Sequence, residues 1–142
     1  MKNSARDPME RPARWIRDTA TLAEERWNDP VRGDVTFRTA FGDGSGSTDT
    51  FTAGIAELQP GGRLACHRHA PAELYYVTDG CGTVTLKGTA NRVAAGTAVF
   101  IPGGCEHEIR NDGPGVLRFF YTLAADSFAD IEYEFVNDTD DT

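Results

Sequence analysis

From residue 35 onward, apolar and polar positions alternate in short runs, the pattern of strands with one buried face. VTFRTAF (35–41) opens the series. FTAGIAEL (51–58), RLACHRH (63–69), ELYYVTDG (73–80), GTVTLKG (82–88), NRVAAGTAVFIPGG (91–104), HEIRNDG (107–113), VLRFFYTLA (116–124) and IEYEFV (131–136) continue it. The joins carry Gly, Pro, Asn or Asp, as in the turn QPGG at 59–62. Short strands at this spacing predict an all-β antiparallel sandwich or barrel. GDGSGSTD (42–49) is a flexible hairpin connection. Its glycines do not link a strand to the start of a helix, so it is no dinucleotide fingerprint.

Upstream of the alternation the texture differs. DTATLAEERW (18–27) combines helix formers with a capping pattern from Thr21 to Glu24, which predicts a short helix packed through Leu22 and Trp27. Residues 1–17 are charged and contain proline, with Trp15 as a docking anchor. The expected organisation is an N-terminal arm with a short helix (1–30), one β domain (31–136) and an acidic disordered tail, NDTDDT (137–142).

Composition narrows the functional classes. At 142 residues and 39% hydrophobic, the chain suits one domain with a single core. A formal net charge of -8 opposes binding to nucleic-acid phosphates. No apolar run approaches the ~18 residues of a membrane span, and MKNSARDPME has no secretory h-region. The three cysteines, Cys66, Cys81 and Cys105, are odd in number and irregularly spaced. They read as small buried or half-buried residues in a reducing cytoplasm.

The chain has only three histidines, and two of them stand one residue apart in HRHAPAELYYVTDG (67–80). On a strand, His67 and His69 point to the same face with Cα atoms ~7 Å apart, close enough to converge on one ion. Glu73, Tyr75 and Val77 share a face of the next strand, and His107 follows IPGGCE. Three imidazoles and a carboxylate form a mixed N/O set suited to Fe(II), Mn(II), Ni(II), Co(II) or Zn(II), and not to Ca(II) or Mg(II). Four such ligands leave an octahedral metal two open positions, the layout of a reactive metal. By spacing alone, solvated histidines on a polar strand remain the alternative.

These residues resemble the two signatures of the cupin superfamily. G-x5-H-x-H-x3-E-x6-G is filled by Gly61, His67, His69, Glu73 and Gly80; G-x5-P-x-G-x2-H-x3-N is filled by Gly96, Pro102, Gly104, His107 and Asn111. The resemblance implies a small double-stranded antiparallel β-barrel, jelly-roll-like, with one divalent transition metal per subunit at His67, His69, Glu73 and His107. It also implies a homodimer. The fold does not choose among dioxygenases, isomerases, lyases, decarboxylases and binding proteins.

The tyrosines sharpen the choice. Tyr75 shares the inward face of Glu73, while Tyr76 points away. In IEYEFV, Ile131, Tyr133 and Phe135 form one face and Glu132 and Glu134 the other. A core aromatic is the plain reading of Tyr75, and an idle loop position that of Cys105. The pair Tyr75 and Tyr133 resembles the cupin-type dimethylsulfoniopropionate (DMSP) lyases of marine bacteria, in which a tyrosine two residues after the ligand glutamate acts as base and a second sits in a late strand. That resemblance implies cleavage of a zwitterionic carboxylate to dimethyl sulfide and acrylate, with Tyr75 and Tyr133 catalytic and Fe(II) the expected metal. Phe119 and Tyr121 are candidate walls for the sulfonium. The alternatives are an Fe(II) dioxygenase, a sugar or sugar-acid isomerase, and a ligand-binding cupin. No helix-turn-helix flanks the barrel to favour a regulator.

Overall fold

The computed structural model describes residues 15–43 and 48–136. The arm before Trp15, the loop tip at 44–47 and the acidic tail at 137–142 lie outside the described residues. Eleven strands are described: β1 (Glu25–Asp29), β2 (Gly33–Phe41), β3 (Thr52–Leu58), β4 (Arg63–Arg68), β5 (Glu73–Asp79), β6 (Cys81–Leu86), β7 (Thr89–Ala94), β8 (Ala98–Ile101), β9 (His107–Arg110), β10 (Leu117–Leu123) and β11 (Glu134–Phe135). They form one sheet in the order β7-β6-β9-β4-β2-β3-β10-β5-β8, with β1 on β2 and β11 on β4. Their pairings are antiparallel. This is the expected all-β cupin architecture.

Alternation decides which side chains enter the barrel. On β5 Glu73, Tyr75 and Val77 are buried while Leu74 and Tyr76 are exposed. On β10 Leu117, Phe119, Tyr121 and Leu123 are buried, and Tyr121 stands opposite Tyr75 in the ladder. Ile101 of β8 and Ile109 of β9 complete the same apolar interior. Burying each large side chain contributes roughly 1.5–3 kcal/mol.

The start of the first signature is joined to the end of the second. The Gly61 amide donates to the Asn111 carbonyl and the Asn111 amide to the Gly62 carbonyl, both at 2.9 Å. The Asn111 side chain is fully buried. Its Nδ2 donates to Leu58 O (2.8 Å) and Gly115 O (2.7 Å), and its Oδ1 accepts from Gly113 N (2.9 Å). Gly80 turns from β5 into β6 at φ 83°, and a Cβ there would strike the Val116 backbone, so both space and conformation call for glycine.

Three expectations change. The helix expected over 18–27 is a single 3-10 turn at Thr19–Thr21, capped by Asp18, whose carboxylate accepts from Ala20 N at 3.0 Å. Residues 25–29 are instead strand β1. A helix that short gains too few hydrogen bonds to offset nucleation, whereas β1 gains a full ladder with β2 and seats Trp27 edge-on against Phe37 at 5.4 Å. IEYEFV keeps only Glu134–Phe135 in the ladder, because Phe128–Asp130 forms a 3-10 turn that ends at Ile131. The expected faces survive: Ile131 is buried, Tyr133 and Phe135 half-buried, Glu132 and Glu134 exposed. The run 91–104 divides into β7 and β8 around Gly96, where φ is 95°. Among the described residues no helix is long and apolar enough to cross a membrane.

Asn111→Ala deletes three side-chain hydrogen bonds, one buried and two part-buried, and leaves their backbone partners unmatched. It should lower unfolding free energy by about 2–3 kcal/mol, measured by urea denaturation.

Candidate metal centre

The pairing of β4 with β9 sets His67 directly opposite His107. His69 lies just past β4, and Glu73 opens β5. All four side chains are buried. The histidine rings gather closely: His67 and His107 centroids are 4.1 Å apart, His69 and His107 5.0 Å, His67 and His69 5.4 Å. A ligand atom from each of the three lies within 4.8 Å of the others, a cluster able to hold a metal ion.

Backbone carbonyls fix the ring orientations. His67 Nδ1 is 2.7 Å from Ala65 O, His69 Nδ1 2.9 Å from Pro71 O, and His107 Nδ1 2.8 Å from Cys105 O. A carbonyl only accepts, so each Nδ1 carries the proton that it donates. For a neutral His67 this leaves a bare Nε2, and the Nε2 atoms of His67 and His107 are both buried without a hydrogen-bond partner. Orphaned buried acceptors of this kind are costly. A divalent cation accepts their lone pairs, so the residues fit one.

Glu73 lies beside the three histidines. Its Oε1 is 3.1 Å from His69 Nε2 and 3.4 Å from His107 Nε2. His69 thus has an acceptor at both nitrogens. Burial opposes its charge, but Glu73 outweighs burial and raises its pKa. Burial pushes the Glu73 carboxyl up, yet His107 and His69 hold it below the usual range. For His67 burial dominates, reinforced by the neighbouring His107, and takes its pKa down to about 3. His67 is therefore neutral at physiological pH, the form that ligates metals.

Tyr75 and Tyr133 reach the cluster from two sides. The Tyr75 ring is 6.3 Å from His107 and 4.7 Å from Phe119. Its hydroxyl is buried without a hydrogen-bond partner. The Tyr133 ring is 5.1 Å from His69 and 5.4 Å from His67. Burial, then Glu73, then Tyr133 push the Tyr75 phenol well above its ordinary value. Burial and Glu73 do the same to Tyr133. Tyr76 faces outward, as its place in the alternation requires.

Glu73, Tyr75 and Tyr133 also line a cavity of about 40 Å³, otherwise walled mainly by Trp27, Phe37, Phe119, Tyr121 and Phe128. That is room for a few water-sized groups. Phe119 and Tyr121 thus do face inward. Tyr121 is held by a 2.8 Å hydrogen bond to Thr39 Oγ1, and a Cβ on Gly54 would collide with its phenol. Sequence reasoning missed Trp27, Phe37 and Phe128 as walls. Trp27 was hidden by the helical reading of 18–27, Phe37 was legible in the alternation of β2, and Phe128 sits in a 3-10 turn with no periodic signal. Cys105 is buried in the core, and its carbonyl orients His107.

Residues 54–123 match the family model described as Cupin domain. A relative 42% identical over 107 residues, spanning 75% of this chain and 70% of its own length, is dimethylsulfoniopropionate lyase DddW of Ruegeria pomeroyi. Among solved structures, Rru_A2000 of Rhodospirillum rubrum, described as a cupin-2 domain, superposes with a TM-score of 0.72 at 22% identity over 88% of this chain and 81% of that one. The polyketide cyclase RemF of Streptomyces resistomycificus gives 0.71 at 22% identity over 86% of each chain. These two likenesses speak to fold alone.

Chelator-stripped protein should take up about one divalent transition metal per chain, read by plasma mass spectrometry. Loading at a hundredfold excess over Kd should add about 2.7 kcal/mol of stability, seen as a rise in Tm. His107→Ala should lose both the bound metal and the rise.

Proposed function

The chain belongs to the cupin domain family, and from that premise we propose that it is a metal-dependent dimethylsulfoniopropionate lyase. The observation that carries the reading is the Tyr75 hydroxyl. It is buried without a partner, on the face of β5 that also presents Glu73, in the wall of an aromatic cavity. A hydroxyl left unsatisfied in a protein interior is costly, and catalytic use is one reason to keep it so. The relative that bears the name of a DMSP lyase supports the same reading.

DMSP carries a carboxylate at one end and a dimethylsulfonium at the other. A divalent cation held by His67, His69, Glu73 and His107, Fe(II) first among Fe(II), Mn(II), Ni(II), Co(II) and Zn(II), would supply Lewis acidity at the substrate carboxylate and draw the Tyr75 pKa back down. The aromatic walls, Trp27 and Phe119 among them, offer their ring faces to the sulfonium. The Tyr75 phenolate takes the proton from the carbon α to the carboxylate. The electron pair of that C–H bond forms the carbon–carbon double bond. The C–S bond breaks with both electrons passing to sulfur, leaving acrylate and neutral dimethyl sulfide. Tyr133, beside His67 and His69, orients the substrate carboxylate and keeps water out. The small, aromatic cavity also favours a compact zwitterion over a sugar, whose hydroxyls need more hydrogen-bonding groups than these walls provide.

Metal-loaded protein given DMSP should release dimethyl sulfide into the headspace and acrylate into solution in equal amounts, without oxygen uptake. Tyr75→Phe should retain the metal and lose about 10²–10⁴-fold in kcat, and Tyr133→Phe should lose less. No dimethyl sulfide with any of the five metals overturns the lyase reading. Full turnover by Tyr75→Phe removes Tyr75 as the base.

A further inference from the structure

We propose that the outer face of the sheet formed by β3, β10, β5 and β8 is where two copies of this chain meet. The inference is independent of the lyase reading. The resemblance to cupins implies a pair of chains without saying where they touch.

Four large apolar side chains stand on this face: Leu74 is 51% exposed, Tyr76 49%, Phe100 61% and Phe120 39%. They are neighbours. Leu74 lies opposite Phe100, Tyr76 opposite Ala98 and Phe120, and Phe120 opposite Ile55. The alternation that sends Glu73, Tyr75 and Val77 into the barrel sends Leu74 and Tyr76 out, so no repacking within one domain can bury both sets. The result is one apolar band across four adjacent strands. Such a band marks an interaction site on a soluble domain.

Charge selects the occupant. The band itself holds no Asp, Glu, Lys or Arg. The charges next along β10 and β3 are Arg118 and Glu57, paired with each other at 3.4 Å. A basic or acidic partner finds nothing here to recognise. Two copies of a chain with net charge -8 repel over most of their surfaces, and a neutral face is where they approach at least cost. A two-fold axis through the band sets it against itself.

Area agrees. Half-exposed aromatics and a leucine offer roughly 400 Å² of apolar surface, against about 800 Å² per partner in a standard interface. The band is thus the apolar centre, and Thr78 and Thr122 belong to the polar rim. Pairing here would brace the outer side of β5, whose inner side carries Glu73 and Tyr75.

Sedimentation velocity of the full chain over a wide concentration range tests the proposal. The wild type should run as a dimer. Tyr76→Glu combined with Phe100→Glu should weaken dimerisation at least about a hundredfold with an unchanged far-ultraviolet circular dichroism spectrum. Val31→Glu, an exposed apolar site elsewhere (62% exposed), should leave the dimer intact. A wild type that stays monomeric, a double variant that still pairs, or equal dissociation by Val31→Glu overturns the proposal. Hydroxyl-radical footprinting of the wild type reads the same face without substitution. Protection of Tyr76 and Phe100 that grows with concentration is expected, and labelling independent of concentration, as an intramolecular cover would produce, overturns it.

Discussion

Four ionisable side chains, His67, His69, Glu73 and His107, are buried where β4, β5 and β9 converge, and the rest of the barrel answers to that constraint. Taking such groups out of water costs several kcal/mol each unless their partners are built in. The backbone meets part of the cost. Carbonyls of Ala65, Pro71 and Cys105 each hold one imidazole Nδ1. Those bonds fix the tautomers of His67 and His107 and turn every Nε2 toward a common point. Two of the three Nε2 atoms make no hydrogen bond of their own, so the cluster offers a place for a cation.

The same burial sets the chemistry of the tyrosines. An apolar wall of Phe119 and its neighbours holds Tyr75 as a neutral phenol, and the carboxylate of Glu73 reinforces that state. A positive charge close by opposes both effects. In the proposed lyase, the base strength of Tyr75 would depend on occupancy of the histidine cluster. The outer face of β5 has the complementary character. Its outward Leu74 and Tyr76 are apolar and exposed, so one strand carries a catalytic candidate on its inside and the proposed association surface on its outside.

The elements legible in the sequence were those whose signal is local. Strand alternation placed Tyr75 inward and Tyr76 outward. The spacing of His67 and His69 put two imidazoles on one face, and dense signature positions such as Asn111 and Gly80 proved to be the joints of the barrel. Trp27 was misjudged because good helix formers in a short stretch are a weak prior that a neighbouring strand overrides. Phe128 gave no signal, because a 3-10 turn in an irregular segment has no period to read.

The sequence by itself determined the pattern of faces, the donor types of the centre and the family, since these depend on residue identity at fixed spacing along the chain. Tertiary structure alone decided that His107 meets His67 across the β4–β9 ladder, that Glu73 comes within 3.4 Å of His107, and that the Tyr75 hydroxyl is left without a partner. The His67–His107 and Glu73–His107 approaches join atoms far apart in the chain, and the burial of the Tyr75 hydroxyl likewise comes from barrel closure. The physical reason is that burial and electrostatic environment belong to a place in the fold, and a residue acquires them only when its distant neighbours arrive.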